Sequence, residues 1–179
     1  ALRFSITSFW GMASLALPLL VARTSGSAAT AAFYGSLSLA VASAGQLLTG
    51  LLRDRFGRTR PLVVSSLGIV ASAVGAAIYH DSVTGLFLFG TALSTTAWAV
   101  STLVPALIDE VADTEEKNRL VGLGHLVWSG AMVTGSVFGG WLVEVASFLP
   151  FAYGVVSCSV GTLCIWWLCV RLDARREAQ

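Results

Sequence analysis

Six long apolar runs, at about residues 4–21, 29–52, 62–79, 86–108, 120–143 and 150–170, alternate with short polar stretches along the chain. Each matches the length at which an α-helix rising about 1.5 Å per residue crosses a hydrocarbon core of about 30 Å. The pattern predicts an all-α membrane protein, with six transmembrane helices forming a single unit and a hydrophilic tail over residues 171–179. The first run lies between Arg3 and Arg23 and carries Ser5, Thr7, Ser8 and Ser14. It is too long and too polar for the core of a signal peptide, so it is expected to be retained. Pro18 near its end predicts a kink.

The interiors of the runs are uneven. The second holds Tyr34, Ser36, Ser38, Ser43, Gln46 and Thr49 among small residues, which suits contacts between helices. The fourth carries Thr91, Ser94, Thr95, Thr96, Trp98, Ser101 and Thr102. These hydroxyls fit either a wetted face or bonds back to carbonyls of their own helix. The fifth contains Gly122, Gly124, Gly130, Gly135, Gly139 and Gly140. Its Gly135 and Gly139 form the small-x-x-x-small spacing that lets two membrane helices meet backbone to backbone, and Gly130 and Gly140 are grouped with them as packing positions. The sixth ends in Trp166-Trp167 and Arg171, an interfacial aromatic belt followed by positive charge.

Composition agrees with a lipid setting: 55% of residues are hydrophobic and 12% charged, where a soluble domain carries about 25% charged residues. Mean hydropathy is +0.78. The net charge of +1 gives no reason to expect a nucleic-acid partner, because the bases are distributed by loop rather than gathered on one surface. Of the 11 Lys and Arg residues, only Arg23 falls on the side opposite both termini and the loops after helices two and four. That asymmetry predicts cytoplasmic termini in a multi-pass plasma-membrane protein.

Cys158, Cys164 and Cys169 all fall in the last run, at spacings that suit neither a disulfide framework nor a metal site. His125 and Ser129 lie four apart on the fifth run, and packing or contact with water is the expected role for that histidine. There is no phosphate-binding loop, metal cluster or catalytic constellation, so neither a cofactor nor enzymatic chemistry is expected.

The most charged break between apolar runs that is also rich in glycine is Gly50-Leu51-Leu52-Arg53-Asp54-Arg55-Phe56-Gly57-Arg58-Thr59-Arg60-Pro61-Leu62. Gly50 and Asp54, four apart, share one helix face, with bare backbone beneath a carboxylate. Asp54 closes its helix at the end where the macrodipole disfavours an anion, so it calls for a partner. Gly57 permits the left-handed geometry that ends a helix, and Pro61 suits the first turn of the next.

This stretch resembles the signature loop of the major facilitator superfamily, Gly-x-Leu-x-Asp-Arg-x-Gly-Arg-Arg/Lys-x-x-Leu. Gly50, Leu52, Asp54, Arg55, Gly57, Arg58 and Leu62 match; Thr59 departs, and Arg60 supplies a base one place on. Gly135-Ser136-Val137-Phe138-Gly139-Gly140 resembles the family's Gly-Pro-x-x-Gly-Gly antiporter motif, with Ser136 where the motif has proline.

The resemblance implies one six-helix half of a twelve-helix secondary transporter that moves a small solute by rocking against a second six-helix unit, in the same full-length chain or in a second copy. The chain's start at Ala1 and its short tail point to the C-terminal half, as does the lack of an arginine within the fourth run. The resemblance also pairs Arg58 with an acidic group at the end of helix four, Asp109 or Glu110. It places helices one and four around a central cavity, flanked by two and five. The candidates there, chosen for polarity and aromatic character, are Trp10, Ser14, Tyr34, Gln46, Thr95, Trp98, Thr102, Trp128 and Ser129. No charge sits in the middle of any run, so charged coupling groups are expected in the other half or not at all. The rival expectation is a six-helix scaffold or sensor that keeps the packing motif without transport.

Overall fold

The fold was obtained as a computed structural model. It describes the backbone of residues 2–57, 59–111 and 114–177, with side chains throughout except at 2, 106–115, 168 and 171–177. Six helices follow one another: α1 (Leu2–Ser25), α2 (Ala28–Phe56), α3 (Thr59–Ile78), α4 (Val83–Val111), α5 (Thr114–Val145) and α6 (Leu149–Glu177). All six are long and apolar enough to cross a membrane. Their ends run past the apolar stretches, most at the start of α5, at Thr114 rather than near residue 120, and at the end of α6, at Glu177 rather than near residue 170. Backbone hydrogen bonding does not stop where hydrocarbon stops, so helix continues into the polar loops.

The connections are short and specified locally. Gly26 (φ 67°) turns the chain after α1, and the Ser27 side chain accepts the Thr30 N–H at 3.2 Å to cap α2. Gly57 ends α2 at a positive φ of 73° with ψ 178°, a conformation that favours glycine, and Pro61 lies in the first turn of α3. α1 runs as one helix through Pro18.

α1 is the axis of the unit. It packs on α5, α6, α2 and α4, while α3 packs on α4 and α6, and α2 on α4. Accordingly 61% of the α1 span is buried inside the unit, against 17% for α2 and 22% for α5. Phe9 and Leu17 of α1, Ile69 of α3, Leu86 and Leu93 of α4, and Phe151 of α6 are completely enclosed. Outward, Phe33, Leu47, Val64, Leu88, Leu126, Trp141 and Leu163 are exposed. Hydrocarbon tolerates such a surface and water does not.

The seam between α1 and α5 is backbone on backbone. A Cβ at Gly139 would lie 2.7 Å from the Met12 Cα, one at Gly11 would lie 2.8 Å from the Met132 carbonyl oxygen, and one at Gly135 would overlap the Ser8 carbonyl. The register ascends together, Ser8 with Gly135, Met12 with Gly139, and Arg23 ion-paired to Glu144 at the far end, so the two helices run parallel. Gly130 does not belong to this seam. Nothing lies within 4 Å of a Cβ built there, because it faces outward. Gly140 has only an ordinary contact, 3.5 Å to Leu15.

Candidate functional site

Two adjoining cavities run along one side of the unit. The first, of about 270 Å3, lies toward the end that carries the α2–α3 loop, among Arg3, Thr7 and Trp10 of α1, Trp98 and Ser101 of α4, and His125 and Trp128 of α5. The second, of about 220 Å3, lies farther along α1 beside Ser14 and Pro18, with Tyr34 and Ser38 of α2 and Ser94 of α4. Trp10 and Trp98 wall both. Among the described residues, α3 and α6 line neither.

Local chemistry fits the second cavity to polar contact. Proline has no N–H, so Pro18 leaves the Ser14 carbonyl without its usual helical donor, and both residues line the space. The Ser14 hydroxyl itself bonds back to the Gly11 carbonyl at 2.9 Å. Tyr34 is only 2% exposed and is held edge-on to Phe87, with its hydroxyl over the bare backbone of Gly90.

Five of the residues singled out for a cavity, Trp10, Ser14, Tyr34, Trp98 and Trp128, do line these spaces. Gln46 and Thr102 line neither; they meet each other across α2 and α4, the amide nitrogen donating to the hydroxyl at 3.2 Å. Thr95 is a packing residue: its methyl sits over Gly45 and its hydroxyl returns to the Thr91 carbonyl at 2.8 Å. Ser129 is exposed on α5 and lines neither space.

Arg3, which flanks the first apolar run, and His125, for which packing or contact with water is expected, both line the first cavity. The signal for Arg3 is Gly124, since a Cβ there would come within 2.8 Å of a guanidinium nitrogen and the glycine leaves that room. Among the described residues no acidic side chain pairs with Arg3, and no three His, Cys, Asp or Glu side chains come together as a metal site would require.

At the loop, Asp54 is exposed, with Arg53 3.9 Å away as its partner among the described residues. The space above Gly50 is open, and the Arg55 guanidinium lies 5.5 Å from the Phe56 ring centroid. Arg58 and the side chains of Asp109 and Glu110 lie outside the described residues, so their pairing belongs with the proposals below.

A family model described as Major Facilitator Superfamily matches residues 1–179. The chain belongs to the major facilitator superfamily. A search of curated proteins found no match to it. As a facilitator it is a multi-pass membrane transporter of a small molecule. In this facilitator, the loop resemblance and the six apolar helices are thus two views of one family pattern.

Proposed function

We propose that this unit is one half of an alternating-access secondary carrier, rocking against a second six-helix unit so that its cavities open to one side of the plasma membrane and then the other. The second unit is either the rest of the full-length chain or a second copy. The observation that carries the reading is the pair of cavities walled by α1, α2, α4 and α5, on two of the helices that the unit itself buries least. A surface left uncovered and polar in places suits a facing unit that completes the cavity, whereas lipid suits only its apolar remainder. Trp10 and Trp98, shared between the cavities, are placed to divide the path.

In this reading the loop after α2 is the conformational latch, through Asp54 above Gly50 and through Arg58 reaching Asp109 or Glu110. The termini lie on the cytoplasmic side with that loop. Complete protein in sealed vesicles should exchange a solute saturably. A scaffold or sensor would give no flux above protein-free vesicles.

The orientation makes its own prediction. In a background with Cys158, Cys164 and Cys169 replaced, a cysteine at Lys117 should be protected from impermeant thiol reagents in intact cells, and a cysteine at Asp81 should react. The reverse labelling would overturn the orientation.

A further inference from the structure

We propose that the first cavity takes an organic anion: a carboxylate or similar head held by Arg3, on a flat apolar or aromatic body packed among Trp10, Trp98 and Trp128. This rests on the carrier reading and names the class of its substrate.

Among the described residues lining that cavity Arg3 is the one formal charge, and no described acidic side chain neutralises it. A guanidinium presents a rigid fork of N–H donors that matches a carboxylate in two parallel bonds, and a partly enclosed apolar setting strengthens such bonds relative to water. Gly124 leaves the room the Arg3 head occupies against α5, and a methyl group there would come within 2.8 Å of it. His125, next along α5, adds a ring nitrogen to the same wall, and Thr7 and Ser101 add hydroxyls.

The remainder of the wall is largely aromatic and aliphatic, with three indoles in about 270 Å3. Indole faces pack well on flat bodies, and indole N–H groups donate without accepting, which again favours an anion. An aromatic wall by itself would also suit a quaternary ammonium group. Arg3 in the same cavity repels that cation, and the charge decides between the two classes.

The test uses complete protein in lipid nanodiscs. Binding is read as quenching of tryptophan fluorescence by phenylacetate and indole-3-acetate, each compared with its neutral amide and with the corresponding arylethylamine. The proposal expects saturable quenching by at least one acid, with its amide and amine at least tenfold weaker. Arg3→Gln should remove that preference and Arg3→Lys should retain part of it. Gly124→Ala should weaken the acid more than the amide. Both Arg3 variants should elute as monodisperse protein, which separates loss of binding from loss of fold. The proposal is overturned if neither acid quenches, if acid, amide and amine bind alike, if the amine binds best, or if Arg3→Gln leaves the acid preference intact. Any of these outcomes alongside reciprocal opening of the two cavities would leave the carrier reading standing and remove only the anion.

Discussion

Alanine in place of Gly135 should lower the stability of the unit, while alanine in place of Gly130 should leave it unchanged or raise it. The sign is informative because propensity alone favours both changes: glycine inside a helix costs about 0.8–1.0 kcal/mol relative to alanine. At Gly130 nothing opposes that gain, since the space is open. At Gly135 the new methyl group meets the Ser8 carbonyl, which is backbone and cannot swing aside as a side chain would. Overpacking a core usually costs about 1–3 kcal/mol, and separating two backbones lies at or beyond the upper end of that range. Leucine at Gly135 or Gly139 should therefore abolish most folded protein, whereas leucine at Val137, 68% exposed on the same helix, should be tolerated. Monodisperse yield and the midpoint of thermal unfolding measure this. Equal tolerance at 130, 135 and 139 would remove the seam as the basis of α1 packing on α5.

Asp54→Asn should slow transport and shift the balance of conformations while leaving expression intact. The carboxylate closes α2 at the end where its own helix dipole opposes it, and among the described residues its ionic partner is the exposed neighbour Arg53 at 3.9 Å. An exposed pair of that kind contributes about 1 kcal/mol or less. Bare backbone at Gly50 leaves room for the N-terminus of a helix from the facing unit, where an anion is worth roughly 0.3–1 kcal/mol exposed and about 2 kcal/mol when partly buried. Since 1.4 kcal/mol is a factor of ten in a two-state ratio, losing the charge redistributes states up to about tenfold and does not unfold the protein. Arg58→Asp should act likewise, with partial recovery on adding Asp109→Arg. Transport rate, together with spin-label distances between the cytoplasmic ends of the two units, reads the effect. Unchanged rates and distances in Asp54→Asn would reduce the loop to a positive anchor.

How much of this was legible in the sequence depends on which forces are local. The six helices follow from long apolar runs interrupted by charge, because burying a backbone in lipid leaves little choice but helix. The turn at Gly57 was equally legible, since a positive φ at a helix end is a property of that residue alone. The glycine pair at 135 and 139 announced a close approach, but its partner, the Ser8–Met12 stretch of α1, is set by tertiary register, and the small residue there, Gly11, does not say which helix it meets.

The cavities were harder to read. A hydroxyl in a membrane helix looks the same in sequence whether it faces water or satisfies itself. Ser94, Thr95, Thr96 and Thr102 all bond to carbonyls three or four residues back, so polarity along α4 did not separate Ser94, which lines a cavity, from Thr95, which packs on Gly45. Tryptophans were the better guide, because a large ring with a polar edge rarely fits a tightly packed interior. In the sequence Arg3 only brackets the first apolar run, because its place in the chain is terminal to α1. In space its head lies beside Gly124, some 120 positions on.

The central claim is reciprocal access to two cavities in one moving unit. It is tested most directly by single cysteines at Ser101 in the first cavity and Ser14 in the second, in complete protein lacking its native cysteines, labelled by impermeant thiol reagents from each side of the membrane in turn. Both positions line their cavities and are exposed within the unit. The account predicts that Asp54→Asn, or any condition that shifts the conformational balance, raises labelling of one site from its side while lowering labelling of the other from the opposite side. Rates that rise and fall together, or that never change, would contradict alternating access.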